Sequence, residues 1–397
     1  MQMRNSKDTM KGRRWLCFLA WILSLVGISY YGGAVSYGLF WALTLLPVVS
    51  LVYLLCVYFR FKLYQEVESR DMVCGQAMPY YFMLRNEDKF GFAGVKVRMF
   101  PDFSYVEDVA EDVEYELLPG DEFIYRTQLV CKYRGEYEVG VKEVIVTDFF
   151  RIFRFRYPVI GTIRAIVKPK LVELTQIYAM ADVVVDLQKE SLLLKTDPDV
   201  VVRDYMQGDG LKKIHWKATA RTGQLKVRND IGSEKQGVKI FFDTRRYRKK
   251  IQDYLPLESK ILEVLLALGM FFAKRNMATM AYCEYRGLWN CEIAGMQGFE
   301  SFYSQTSNIH FEEDVDSFES MKLFYQEGHL ADAKVLIGIF HEWNEQMQQF
   351  AQEVADSGTT ALFYVVTEEN LEYYIKQNTT RSKVIAIGID DELEGVM

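Results

Sequence analysis

The stretch Arg203-Asp204-Tyr205-Met206-Gln207-Gly208-Asp209-Gly210-Leu211-Lys212-Lys213-Ile214-His215-Trp216-Lys217-Ala218-Thr219-Ala220-Arg221-Thr222-Gly223-Gln224-Leu225-Lys226-Val227-Arg228 separates two differently patterned parts of the chain. Gly208-Asp209-Gly210 is a turn signal, because glycine accepts positive φ and an aspartate side chain bonds its own backbone. Residues 211–220 read as a short helix that Asp209 can cap, with Leu211, Ile214 and Ala218 on one face. Gly223 fits the end of that helix, and Leu225 and Val227 alternate as a strand leaving it. Seven Lys or Arg stand against two Asp here, a local basic excess in a chain of net charge −7. Two readings follow. In one, Arg203, Asp209, Lys217 and Arg221 pair internally around a packed Trp216. In the other, the stretch is a docking or anion-binding surface.

Working outward, the N-terminus carries the clearest physical signal. Residues 15–31 are uncharged and mostly apolar, and residues 35–59 are uncharged over 25 positions. Both runs are long enough to cross a bilayer, and Gly32-Gly33 leaves only a short loop between them. A cleaved signal peptide is the rival, but no small-residue cleavage site follows and a second apolar run comes at once. Arg4, Lys7, Lys11, Arg13 and Arg14 precede the first run, and Arg60 and Lys62 follow the second. The positive-inside rule therefore places both ends, and everything after residue 59, in the cytoplasm of a multi-pass membrane protein.

Between 67 and 167 the pattern has period two. Val95, Val97 and Met99 alternate with Lys96 and Arg98. Residues 122–132, 136–146 and 152–157 read as strands, with turns at Pro119-Gly120-Asp121 and Arg134-Gly135. This predicts an all-β, sandwich-like domain. From residue 237 the pattern becomes strand, helix, strand. Strands are expected at 238–242, 334–340, 360–366 and 383–389, with a hairpin over 277–293. Helices are expected at 257–273, 311–326, 342–356 and 368–377. Such alternation implies a mainly parallel sheet covered on both faces. The domains predicted are 1–65, a basic leader and transmembrane helical hairpin; 66–170, the β domain; 171–236, a connector with the quoted stretch; and 237–397, the α/β domain.

The quoted stretch resembles the signature of the DUF58 family, in which Arg-x-Tyr-x-x-Gly-Asp leads to Ile-Asp-Trp-Lys-Ala-Ser-Ala-Arg-Thr. Arg203, Tyr205, Gly208, Asp209, Trp216, Lys217, Arg221 and Thr222 match it, and His215 stands where the family has Asp. Arg134-Gly135-Glu136-Tyr137-Glu138-Val139-Gly140 and Thr147-Asp148-Phe149-Phe150-Arg151-Ile152-Phe153 are similar to the β-rich region upstream of that signature. The α/β pattern is similar to the von Willebrand factor A fold. The resemblance implies a prokaryotic, non-enzymatic membrane scaffold or adaptor that binds protein partners. A MoxR-type AAA+ ATPase would be its partner, and sometimes a transglutaminase-like membrane protein.

In that fold, Mg²⁺ is held by Asp-x-Ser-x-Ser at the end of the first strand; hard cations need such oxygen donors. Here the run is Asp243-Thr244-Arg245-Arg246-Tyr247, so both serine positions are lost, to Arg245 and Tyr247. His341-Glu342 falls where a later Asp is expected. The expectation is a degenerate metal site without metal or other cofactor, in which Arg245 pairs with Asp243 and replaces the ion's charge. No His-Glu-x-x-His, Gly-x-Ser-x-Gly, P-loop or Gly-x-Gly-x-x-Gly motif occurs. The six cysteines are scattered without a Cys-x-x-Cys pair, which reads as reduced usage. The acidic balance argues against nucleic-acid binding, although the basic stretch keeps that reading open. The other alternative is a phosphate- or nucleotide-binding enzyme built on Lys217, Arg221 and Asp209.

Overall fold

The computed structural model describes residues 2–109, 113–159, 161–181, 202–204, 216–228, 237–331 and 333–396. The chain divides into two compact units, Met1–Lys168 and Pro169–Met397.

The first unit opens with two helices, α1 (Gln2–Tyr31) and α2 (Ala34–Arg60). Gly32 and Gly33 join them at φ 43° and 151°, backbone conformations that a side chain disfavours. The helices run antiparallel, and Trp21 Nε1 donates to Thr44 Oγ1 at 3.0 Å between them. The stretches Lys11–Tyr31 and Ala34–Arg60 are long and apolar enough to cross a membrane. Leu16, Leu19, Leu23, Leu45 and Val49 are exposed along them, as lipid-facing side chains would be. The last turns of α2 also pack on protein: Leu54 and Val57 are fully buried, and Tyr58 meets Tyr157 at 5.1 Å between ring centroids.

Among the described residues eleven short strands follow: β1 (Lys62–Val67), β2 (Asp71–Val73), β3 (Ala77–Arg85), β4 (Phe92–Met99), β5 (Ser104–Val106), β6 (Glu114–Leu117), β7 (Glu122–Cys131), β8 (Gly135–Val139), β9 (Val141–Thr147), β10 (Arg154–Pro158) and β11 (Ile163–Lys168). They make three sheets, ordered β1-β3-β7-β5, β10-β9-β4-β6 and β2-β11-β8. The strand expected over 136–146 breaks at Gly140, which sits at φ 83°. A Cβ there would come within 2.6 Å of Gln65 Oε1 and 3.0 Å of Tyr80 Oη. The break sends β8 to β11 and β9 to β4 and β10. The strand expected from residue 152 starts only at Arg154, because Asp148 folds the preceding residues into a turn.

In the second unit, β12 (Val202–Asp204) and β13 (Lys226–Arg228) pair antiparallel on either side of α3 (Trp216–Thr222) in the chain. Then come β14 (Val238–Phe242), α4 (Ile251–Lys274), β15 (Thr279–Glu284), β16 (Leu288–Ile293), α5 (Gly295–Ser307), α6 (Ser317–Gln326), β17 (Val335–Phe340), α7 (Glu345–Asp356), β18 (Thr360–Val366), α8 (Glu372–Ile375), β19 (Ser382–Ile387) and α9 (Leu393–Val396). The six-stranded sheet has the order β16-β15-β14-β17-β18-β19 and is parallel except for the β15–β16 hairpin.

Burial on both faces explains the apolar runs of β17 and β18. Successive side chains point to opposite faces. Ile240, Ile337 and Leu362 join Leu265, Leu268 and Phe302 of α4 and α5 in one core. Phe241, Leu336 and Phe363 join Met321 and Phe350 of α6 and α7 in the other. Each such side chain, removed from water, contributes about 1.5–3 kcal/mol.

Several expected boundaries move. The helix expected over 311–326 begins at Ser317, where Asp316 caps it by accepting from the Glu319 N–H at 3.3 Å. The helix expected over 368–377 shrinks to α8. Helices α5 and α9 were not anticipated; the small and polar composition of α5 hides its three buried residues, Phe299, Phe302 and Thr306.

Candidate functional site

The order of the sheet defines its most distinctive place. From β14 the chain winds to β15 and β16 on one side, then returns to β17 and continues outward through β18 and β19. The switch point therefore lies between β14 and β17, where open α/β sheets form a crevice beyond the carboxyl ends of the strands. Asp243 follows β14 and His341 follows β17. The Asp243 N–H donates to Ile339 O at 2.8 Å, which fixes the two strand ends side by side.

Both side chains are buried there, Asp243 at 0% and His341 at 5% side-chain exposure, with Asp243 Oδ2 2.8 Å from His341 Nδ1. The other carboxylate oxygen accepts the Arg245 N–H at 2.8 Å. Tyr247 and Phe311 stand edge-on to the imidazole, at centroid distances of 4.6 and 6.2 Å. Burial, then the carboxylates of Asp243 and Glu342, push the Tyr247 hydroxyl pKa upward. Aromatic side chains of the chain itself thus flank the imidazole.

The loops around it are tied together by hydrogen bonds. Thr244 Oγ1 donates to Glu284 O at 2.7 Å, and the Thr244 N–H donates to Ser317 Oγ at 3.2 Å. Thr244 O accepts from the Glu312 N–H at 3.0 Å, and Glu312 O from the Arg246 N–H at 2.8 Å. Ser320 donates to the Glu284 carboxylate. Burial, then Asp316 and Glu312, raise the Glu284 pKa above the usual carboxylate range. Arg246 makes a two-pronged ion pair with Glu258, at 2.7 and 3.3 Å, and lies 4.0 Å from the centroid of the Tyr254 ring.

The expected pairing of Arg245 with Asp243 is corrected in kind. Arg245 meets that carboxylate through its backbone N–H. Its guanidinium lies 4.7 Å from the Tyr247 ring centroid and 4.0 Å from Glu342 Oε1. The cause is local: an aspartate accepting from the N–H two residues on forms an Asx turn, which turns the intervening backbone. The partner of the carboxylate is His341, 98 residues away. Arg246, Glu258 and Phe311 escaped the sequence reading; the one available signal was the doubled Arg245-Arg246 beside a strand end. Among the described residues no group of three or more His, Cys, Asp or Glu is arranged to hold a metal ion.

The basic stretch forms a second candidate. Arg203 lies in β12, its Cα opposite Val227 of β13. Gly223, at φ 70°, ends α3 as expected, and its N–H donates to Thr219 O at 2.9 Å. Trp216 is 68% exposed, so it is not the packed junction residue of the first reading. Arg221 and Thr222 are also exposed, and Thr222 Oγ1 donates to Gln224 O at 3.3 Å. Tyr205, Gly208 and Asp209, with the expected cap, lie outside the described residues, as does the Lys217 side chain.

No protein-family model and no curated protein matches the chain. Solved structures that align with it include the cupredoxin domain of amoB from Nitrosocaldus yellowstonii, at 10% identity over 30% of this chain and 96% of that one, TM-score 0.20. A β-glucosidase from Listeria innocua aligns at 15% identity over 25% of this chain and 16% of its own, TM-score 0.13. A GH20 exo-β-N-acetylglucosaminidase from Vibrio harveyi aligns at 8% identity over 82% and 81%, TM-score 0.17. Likeness this low establishes no common fold.

Proposed function

We propose that this chain is a membrane-anchored scaffold or adaptor of the DUF58 type, with a multi-pass helical hairpin and its bulk in the cytoplasm. Residues 237–397 of its second unit are then a von Willebrand factor A-like domain whose metal position has been closed from within. The observation that carries this reading is the Asp243–His341 pair. A carboxylate at the switch point, enclosed with an imidazole from its own chain, suits a rigid docking domain better than an open catalytic cleft. The exposed Trp216 and Arg221 favour the signature as a contact surface rather than an internally paired junction, and Trp and Arg are enriched among residues that dominate interfaces.

From the DUF58 resemblance, the partner is a MoxR-type AAA+ ATPase, with a transglutaminase-like membrane protein as a further candidate. The test is capture of the ATPase by the tagged full-length chain in detergent, with and without ATP. Wild type retains it, and Arg221→Glu loses it while melting at the wild-type temperature. Equal capture by Arg221→Glu, or no capture by wild type in either nucleotide condition, rejects the assignment.

A further inference from the structure

The turn between β9 and β10 carries two large apolar side chains in the open, Phe149 at 63% and Phe150 at 54% exposure. It is firmly built. Asp148, itself 3% exposed, accepts from the N–H groups of Phe150 at 3.2 Å and Phe153 at 2.7 Å. Asp148 O accepts the Arg151 N–H at 2.9 Å, and Arg151 holds φ 55°. A left-handed arginine in a cross-braced turn is a conformation the surroundings impose, and here the result is an aromatic pair held outward.

Both helices touch this turn. The Phe149 ring lies 4.7 Å from that of Tyr53 on α2, and Tyr53 Oη accepts the Ala93 N–H at 2.9 Å while donating to Gly91 O at 3.1 Å. From α1, Arg14 Nε donates to Ile152 O at 2.7 Å. The level of these contacts follows from helix geometry. Counting from Ala34, the first residue of α2 after the glycine turn, Tyr53 closes about 20 residues. At about 1.5 Å each that spans about 30 Å, the thickness of a hydrocarbon core. With the glycine turn at one surface, Tyr53 reaches the other. Tyrosine and arginine are the side chains favoured at that boundary.

We propose that Phe149 and Phe150 form an interfacial anchor, which enters the headgroup–acyl boundary of the bilayer that α1 and α2 cross. The proposal rests on reading those helices as membrane-spanning. Its occupant is lipid, because the pair continues the aromatic level of Tyr53 at the edge of the apolar helix surface. The anchor adds a third attachment to the two helices and restrains the β sheets from tilting about them.

The experiment uses the full-length chain, with its native cysteines replaced, in nanodiscs of phosphatidylcholine and phosphatidylglycerol. A bimane probe is attached to one of three single-cysteine variants, Phe150→Cys, Leu45→Cys or Tyr105→Cys. Leu45 is an exposed position midway along α2. Tyr105 pairs with Val130 on β7, whereas the other end of β7, Glu122, faces Arg85, which pairs with Lys62 beside α2. Those eight strand positions put Tyr105 about 27 Å from that end.

The probe at 150 is expected to be quenched by phospholipid carrying a nitroxide at acyl carbon 5, and to have an iodide quenching constant several-fold below that at 105. Iodide quenching at 150 equal to that at 105, with the probe at 45 still lipid-quenched, overturns the anchor and leaves the spans standing. Absence of lipid quenching at 45 as well overturns both. Unlabelled wild type gives a second arm: an acyl-diazirine phospholipid should photolabel the peptide containing Phe149 and Phe150. Labelling of α2 peptides without that one rejects the proposal.

Discussion

Replacing His341 with alanine isolates the contact that closes the switch point. Asp243 has no exposed surface, and its Oδ2 loses the Nδ1 partner at 2.8 Å, while Oδ1 keeps the Arg245 N–H. Stripping a buried charge of all partners costs about 3–5 kcal/mol, whereas one hydrogen bond to a charged group is worth about 1.5–3 kcal/mol. Because one partner stays, the smaller range governs, and His341→Ala should cost about 2–3 kcal/mol. The readout is amide hydrogen exchange of the full-length chain, followed in peptides covering β14 and β17. Where those amides exchange through opening of the sheet, protection should fall about 30- to 160-fold. His341→Asn places an amide nitrogen near the position of Nδ1 and should restore much of the loss. In an Asp243→Asn background, where no carboxylate is left stranded, His341→Ala should cost less. A change below about fivefold in the wild-type background, under about 1 kcal/mol, would refute the claim that this pair stabilises the closed switch point.

Four further outcomes follow from neighbouring contacts. Arg246→Ala removes the two-pronged ion pair from Glu258, which is 2% exposed; chemical denaturation should register a loss of about 1.5–3 kcal/mol. Glu284 has a folded-state pKa raised above 4.5, so its stabilising contribution is full below that value and is lost as pH rises through the folded pKa. Glu284→Gln should therefore melt above wild type at pH 7, with the difference vanishing by about pH 4; a constant offset across that range would contradict the assignment. Trp216→Ala should change stability by under about 0.5 kcal/mol, because the side chain is exposed. Mg²⁺ or Mn²⁺ should give no calorimetric signal that Asp243→Asn abolishes, since both carboxylate oxygens are already engaged.

What the sequence made legible is what depends on near neighbours. The uncharged run at 35–59 announces a long apolar helix whatever surrounds it, and the unbroken apolar run of β17 announces a strand buried on both faces. Gly223 ends α3 for a reason internal to the backbone. The candidate site followed different rules. Arg245 was the nearest cation to Asp243 along the chain, and the Asx turn that carries its guanidinium to Tyr247 is a three-dimensional consequence of the strand's end. His341 could be placed at a strand terminus from its own neighbours, but its pairing with Asp243 needed the adjacency of β14 and β17, which apolar periodicity leaves open. Trp216 misled for a related reason: a large aromatic in a charged stretch reads as packed, yet the seven-residue α3 leaves it exposed. Under the von Willebrand factor A-like reading proposed above, the Asp243 contact gives Arg245 and Tyr247, at that fold's serine positions, a physical sense. Serine oxygens would serve a cation, whereas the Arg245 guanidinium lies over the Tyr247 ring and the His341 imidazole meets the carboxylate. Serine placed at positions 245 and 247 alone should therefore fail to create a metal site, because His341 still holds Oδ2; its removal as well would free that oxygen for an ion.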